Sequence, residues 1–170
     1  MWDSEDAVEY IEKLEEQIMK HTIRASALLG KEKGSYPMHE GSEWFTGEYF
    51  EKNGFDSDEW LAVKELAGKY MRNGYLRATA PTGSTSVIAG STAGIDPIFD
   101  IIYYERKKDY HLPIVVPNLN TETWFYYKPT MKMEFDGEKE LAHMWAIKHN
   151  GVRQKFIDQA ISHNFYVPQG

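Results

Sequence analysis

The chain has 170 residues, 42% of them hydrophobic and 14% aromatic, enough for a packed core in one compact domain or in a piece of a larger one. A net charge of −7, with one dense basic run at Arg106-Lys107-Lys108, suits no polyanionic partner, and the lack of any cysteine excludes disulfides, thiolate metal sites and thiol catalysis by this chain. No apolar run approaches the ~20 residues that span a bilayer, and acidic residues stand where a secretory signal would be basic and then apolar, so a cytoplasmic location is expected.

Val8, Ile11, Leu14 and Ile18 recur every three or four residues, which predicts an amphipathic helix over Asp6–Leu29 with a stop near Gly30. Glu12, Glu15 and Glu16 read as its solvated face. Residues 31–54 mix Gly, Pro, Ser and Asn with scattered aromatics and predict an irregular connection, with a short helix at Glu48–Lys52 and His39-Glu40 as a loop pair. Ser57 is placed to cap a second helix whose apolar stripe is Trp60, Val63, Leu66 and Tyr70, and Asn73-Gly74 supplies its stop. Those aromatics read as core, not as cofactor contacts.

Tyr75–Ala80 reads as a short buried strand leading into Pro81-Thr82-Gly83-Ser84-Thr85-Ser86 and then the apolar Val87-Ile88-Ala89, an order of strand, polar loop and helix. Beyond it the expectations are a helix over Pro97–Lys107, an extended piece over Leu112–Val116 and a helix from Glu138 to Asn150. Gly151 is expected to interrupt that helix before it resumes over Val152–Gln159, with a last strand over Ile161–Val167. Helices alternating with short apolar strands imply a parallel α/β arrangement, yet two or three strands are too few to close a sheet, and an uncovered edge invites another chain. No repeat or linker divides the chain, so residues 1–170 are read as one piece of a barrel.

The loop is where chemistry could reside. The first amides of a helix lack internal partners, a glycine lets a phosphate approach the backbone, and the hydroxyls of Thr82, Ser84 and Thr85 can donate to an anion. The plainer alternative is that Thr82 or Ser84 only caps the helix. A nucleotide-hydrolase loop is rejected, because it requires a lysine where Thr85 and Ser86 follow.

Other candidates carry less. His143 and His149 are about 600° apart on a helix and share no face, so metal binding is not expected there. Asp96-Pro97 could act functionally but reads better as an ordinary helix start, and Arg153, Lys155 and Asp158 read as a local ion pair.

The longer string Arg77-Ala-Thr-Ala-Pro81-Thr82-Gly83-Ser84-Thr85-Ser86-Val-Ile-Ala-Gly90-Ser-Thr-Ala-Gly94-Ile95-Asp96-Pro97-Ile-Phe99 resembles the ribonucleotide reductase large subunit. There a strand delivers a Pro-Thr-Gly-Ser or Pro-Ser-Glu-Thr loop, then an Ile-Ala-Gly-like turn, then Gly-Ile-Glu-Pro or Gly-Ile-Asp-Pro. Upstream, Ala25 to Tyr36 with Gly41-Ser42-Glu43-Trp44 and Gly47-Glu48-Tyr49-Phe50 resembles the Ala-Lys-Glu-Lys-Gly and Gly-Ser-x-(Tyr/Trp) region of that family. Downstream, Val152-Arg-Gln-Lys-Phe156-Ile-Asp-Gln159-Ala-Ile-Ser162-His163-Asn164 is similar to its Arg-Gln-Lys-(Phe/Trp)-Ile-Asp-Gln-Ser-Ile-Ser segment.

The resemblance implies an α/β fold, part of a ten-stranded reductase barrel that is helix-rich with few parallel strands. It also implies a site for the diphosphate or triphosphate of a ribonucleotide substrate at Thr82, Gly83, Ser84, Thr85 and Ser86. Some relatives have Glu where Gly83 stands, a contact this chain cannot make. The family abstracts the 3'-hydrogen of the ribose with a cysteine thiyl radical and reduces the sugar with a second cysteine pair, and this chain has neither. The resemblance therefore implies no catalytic residue, metal or cofactor here, and activity only with a partner: the remaining, cysteine-bearing part of the large subunit, together with a radical generator such as a small subunit. A split subunit and a truncated piece both fit. Met1 before a helix reads as a natural start and Tyr166-Val-Pro-Gln-Gly170 after a strand reads as a cut, which favours a fragment. The rival reading is a non-catalytic binding or assembly module with no nucleotide site.

Overall fold

The computed structural model describes residues 2–106, 108–139 and 143–165. Its elements run α1 (Glu5–Lys33), α2 (Glu43–Thr46), α3 (Glu48–Lys52), α4 (Asp58–Lys69), α5 (Gly83–Ala89), β1 (Ile102–Arg106), β2 (His111–Val115) and α6 (His143–Gln154), with single 3-10 turns at Trp124–Tyr126 and Thr130–Lys132. The chain forms two compact units, one of Glu12–Ala78 and Arg153–Ala160, the other of Met1–Ile11, Thr79–Val152 and Ile161–Gly170.

The first unit is built on a core of Met19, Ile23 and Ala27 from α1, Trp44, Tyr49 and Phe50, Trp60 and Ala67 from α4, Met71 and Phe156. Phe55 lies between Trp60 and Phe156, its ring 4.1 Å from the first and 5.4 Å from the second with near-parallel planes. Ser57 caps α4 as expected, accepting from the Trp60 amide at 3.4 Å. The short α3 falls on the expected residues. Its neighbour α2 was not foreseen, although Ser42 caps it and Gly47, at φ 82°, both ends it and opens α3.

Gly30 does not stop α1. The helix runs on to Lys33 and ends where Gly34 takes φ 85°. Gly30 is needed for a different reason: a Cβ there would lie 2.8 Å from the Met71 amide nitrogen, so the glycine lets the chain after α4 cross the helix backbone to backbone. That crossing also explains why α4 ends at Lys69, before Asn73-Gly74. Tyr70 is extended, Met71 enters the core, the Arg72 amide donates to the Ser26 carbonyl at 3.0 Å, and the Tyr36 amide to the Met71 carbonyl at 2.8 Å.

The glutamates of α1 are not a solvated face. Glu15 is buried, 2.5 Å from Arg77 Nη2 and 3.5 Å from Arg153 Nε. Glu16 accepts from the Trp60 indole at 2.9 Å and pairs with Lys20, and Glu12 pairs with Lys155 at 2.9 Å. The expected local pairing among Arg153, Lys155 and Asp158 gives way to these longer-range contacts. Asp158 instead accepts from the amides of Leu76 and Arg77 at 2.8 and 2.7 Å. His39 lies in a loop yet is buried, with Nε2 2.8 Å from the Ala67 carbonyl.

In the second unit, Pro97–Lys107 is not helical. The consecutive Ile101, Ile102, Tyr103 and Tyr104 favour a pleated backbone, and β1 pairs antiparallel with β2 in the register Ile102↔Val115, Tyr104↔Pro113 and Arg106↔His111. Among the described residues this is the only ladder, so the expected parallel strands reduce to one parallel bridge, Thr79↔Ile161. Tyr75–Ala80 forms no sheet strand beyond the bridge at Thr79 and is not buried, Tyr75, Ala78 and Ala80 being exposed, and of the expected strand Ile161–Val167 residues 166 and 167 lie outside the described residues. The helix expected from Glu138 is described from His143, residues 140–142 lying outside the described ones. It passes Gly151 without a break and ends at Gln154, so Lys155–Gln159 is not helix. The chain turns there because Asp158 and Gln159 bond the backbone of residues 76 and 77, the Gln159 amide reaching the Arg77 carbonyl at 3.1 Å.

Elsewhere in this unit, the Trp145 indole donates to the Glu134 carbonyl at 2.7 Å beside Phe135. His149, fully buried, stacks on Trp2 with ring centres 4.4 Å apart. Lys128 pairs with Asp3 and Lys148 with Glu5. Among the described residues no helix is long and apolar enough to cross a membrane.

Candidate functional site

The polar loop begins where residues 161–164 hold the extended chain. The Ser162 amide donates to the Thr79 carbonyl at 3.0 Å, next to the Thr79↔Ile161 bridge. Three residues on, Thr82 takes φ 39° and ψ 30°, a left-handed backbone that a β-branched residue adopts only when its surroundings impose it. The Gly94 amide imposes it here, donating to Thr82 Oγ1 at 2.9 Å.

That bond removes the plainer reading of the loop, because α5 has no side-chain cap at all. The Thr82 carbonyl accepts from the Ser86 amide at 2.9 Å, while the amides of Gly83, Ser84 and Thr85 precede the first intrahelical donors and meet no acceptor among the described residues. Space lies over Gly83, where a Cβ would meet nothing within 4 Å, and the side chains of Ser84 and Thr85 are exposed. Ser86 differs from the other four. It is 8% exposed and its hydroxyl donates to the Gly83 carbonyl at 2.8 Å, so it braces the loop from within. Gly83, Ser84 and Thr85 thus present three amides and two hydroxyls outward, which is what an anion with several oxygens requires.

Asp96 does not open a helix. Its Oδ2 accepts from the Asn164 side-chain amide at 2.7 Å and its Oδ1 from the Asn164 backbone at 3.4 Å, and His163 Nδ1 lies 2.5 Å from the same Oδ1. The side chains of Asp96 and His163 are 12% and 7% exposed. Sequence reasoning quoted all three residues inside motifs but did not join them, since the contact spans 68 residues and no periodicity signals it.

Among the described residues no three His, Cys, Asp or Glu side chains gather as a metal site would need. Two open surface grooves of about 620 and 640 Å³ lie along α1 and contain none of the loop residues. Lys20 and Lys69, two of the cations in the first, are already engaged. Burial alone would push the Lys20 pKa down, but hydrogen bonds to Glu16 and Glu59 outweigh it and hold the value above its ordinary range, while Lys69 is paired with Glu65 at 2.6 Å. The loop amides, which meet no acceptor among the described residues, remain the candidate site.

A family model described as ribonucleotide reductase, barrel domain, matches residues 1–170. The chain is similar to the ribonucleoside-diphosphate reductase subunit alpha of Treponema pallidum, 41% identical over 167 residues that cover 98% of this chain and 19% of that protein. It is likewise similar to the subunit alpha of Helicobacter pylori, 40% identical over 180 residues covering 98% and 22%, and of Chlamydia pneumoniae, 26% identical over 206 residues covering 98% and 20%. The chain spans about a fifth of the length of these curated relatives.

Proposed function

The chain belongs to the ribonucleotide reductase barrel family, and from that premise we propose that it is a part of the large subunit of a ribonucleoside-diphosphate or triphosphate reductase and supplies its substrate-phosphate loop. The observation that carries this is the outward set of Gly83, Ser84 and Thr85 amides on an uncapped helix start whose two approaches are pinned. Thr82 fixes the loop's conformation, Gly83 leaves room for a phosphate, Ser84 and Thr85 add hydroxyl donors, and Ser86 braces Gly83.

In this reading residues 1–170 are a single fragment of a ten-stranded barrel domain, and their edges are covered by the rest of the subunit. The cysteine-free chain has no thiyl radical and no reducing thiol of its own. The cysteine thiols come from the remaining large-subunit polypeptide, and the radical from a separate generator such as a small subunit. The setting is cytoplasmic and the product is deoxyribonucleotide for DNA replication.

The test is nucleotide binding to the isotope-labelled full chain. A ribonucleoside diphosphate, and inorganic pyrophosphate as its minimal mimic, should shift the amide resonances of Gly83, Ser84 and Thr85. Ser84→Ala with Thr85→Ala should weaken binding about tenfold or more, since a hydrogen bond to a charged group contributes about 1.5–3 kcal/mol. Unchanged affinity in the double variant removes the loop assignment and leaves an assembly module without a nucleotide site.

A further inference from the structure

Residues 161–164 touch the loop region at two levels. Directly, the Ser162 amide holds the Thr79 carbonyl, three residues before Thr82. Indirectly, Asn164 holds Asp96 through two contacts, and two residues before Asp96 the Gly94 amide holds the Thr82 hydroxyl oxygen. Gly94 itself takes φ 58°, and a Cβ on it would sit 3.6 Å from the Ala80 carbonyl, so this turn lies against the chain leading into the loop. Asp96 is the joint of the second route.

A carboxylate this buried is stable only when its oxygens are satisfied. Asn164 supplies both donors, and the remaining polar neighbour is His163. The 2.5 Å approach of His163 lacks the alignment of a hydrogen bond, and its Nε2 is buried with no partner among the described residues, so the ring is placed by Asp96 and by the edge of Phe165 at 4.8 Å.

We propose that Asp96 is a positioning residue for the substrate-phosphate loop, transmitting the grip of Asn164 through Gly94 to Thr82. This rests on the loop reading given above. A loop that must aim three amides at one phosphate binds more tightly when its backbone is already fixed, because less freedom is lost on binding. Thr82 is the residue that needs fixing, being left-handed without being glycine, and the Gly94 contact is what fixes it. Asp96 touches no reacting atom in this scheme; it acts through the turn.

The experiment is a pyrophosphate titration of the labelled full chain as wild type, Asp96→Ala, Asp96→Glu and Asn164→Ala, with thermal midpoints measured in parallel. Asp96→Ala should raise the pyrophosphate Kd at least fivefold while the Trp60 indole resonance stays in place, and Asp96→Glu, which keeps the carboxylate, should recover most of the affinity. A folded Asp96→Ala chain that binds pyrophosphate as the wild type does overturns the proposal and leaves the loop reading intact. A wild-type chain whose Gly83–Thr85 amides ignore pyrophosphate overturns the loop reading, and this proposal with it. Should Asp96→Ala not fold, Asn164→Ala carries the test: it deletes the shorter, side-chain donor and keeps the carboxylate, weakened binding supports the role, and an unchanged Kd overturns it.

Discussion

Glu15 sits among charged residues on a helix, and a sequence alone assigns such a position to solvent. Its neighbours in space reverse that assignment: Arg77 and Arg153, both largely buried, flank its carboxylate. A buried ion pair adds little relative to an apolar substitute, but removing one member strands the other charges, at a cost of about 3–5 kcal/mol. Glu15→Ala should therefore lower the unfolding free energy by about that amount in urea titrations. A loss below about 1 kcal/mol, the value of an exposed pair, would return Glu15 to the surface. Ser84 and Thr85 stand out in the sequence as hydroxyl residues beside glycine at a helix start, a pattern shared by helix caps and anion sites, and the structure leaves them exposed without a cap bond. Asp96 was not legible, since its partners come from a segment that no local rule connects to it.

At the scale of elements, legibility follows the range of the forces that set each boundary. The start of α4 and the whole of α3 were readable, because a capping serine and an apolar stripe act within a few residues. The end of α1 was misplaced because Gly30 answers to the chain crossing it at Met71, a contact made 41 residues later in the sequence. The helix expected over Pro97–Lys107 failed similarly: the apolar run is too contiguous to reveal a period, and the pairing with His111–Val115 decides for strand. The crossing yields a test. Gly30→Val should destabilise the chain by about 1–3 kcal/mol as an overpacked contact against fixed backbone, although alone in a helix the change is favourable. An unchanged denaturation midpoint would mean that the chain after α4 can retreat from α1.

For the molecule as a whole, the sequence placed the family correctly and the architecture only in outline. The resemblance covered most of the length that the family model matches, whereas the expected parallel sheet shrank to a bridge and an antiparallel hairpin. Tyr75–Ala80 has the apolar composition of a strand yet forms only the Thr79 bridge among the described residues, so the strand count could not be read from local pattern. On the proposed function, the chain incubated with a ribonucleoside diphosphate and a dithiol should form no deoxyribonucleotide, and adding the cysteine-bearing remainder with its radical generator should start turnover. Product formed by the chain alone would defeat the reading. Both compact units are assembled from separated stretches, and this bears on how the protein is made. The Trp2 carbonyl meets His149 at 2.7 Å, Glu5 meets Lys148, and the first unit lacks Phe156 until the ribosome has passed that codon. At about 5–20 residues per second the stretch between Trp2 and His149 takes on the order of ten seconds or more to be made, and through that interval Met19, Ile23 and Ala27 of α1 lack Phe156, so the nascent segment is a natural client for a holding chaperone.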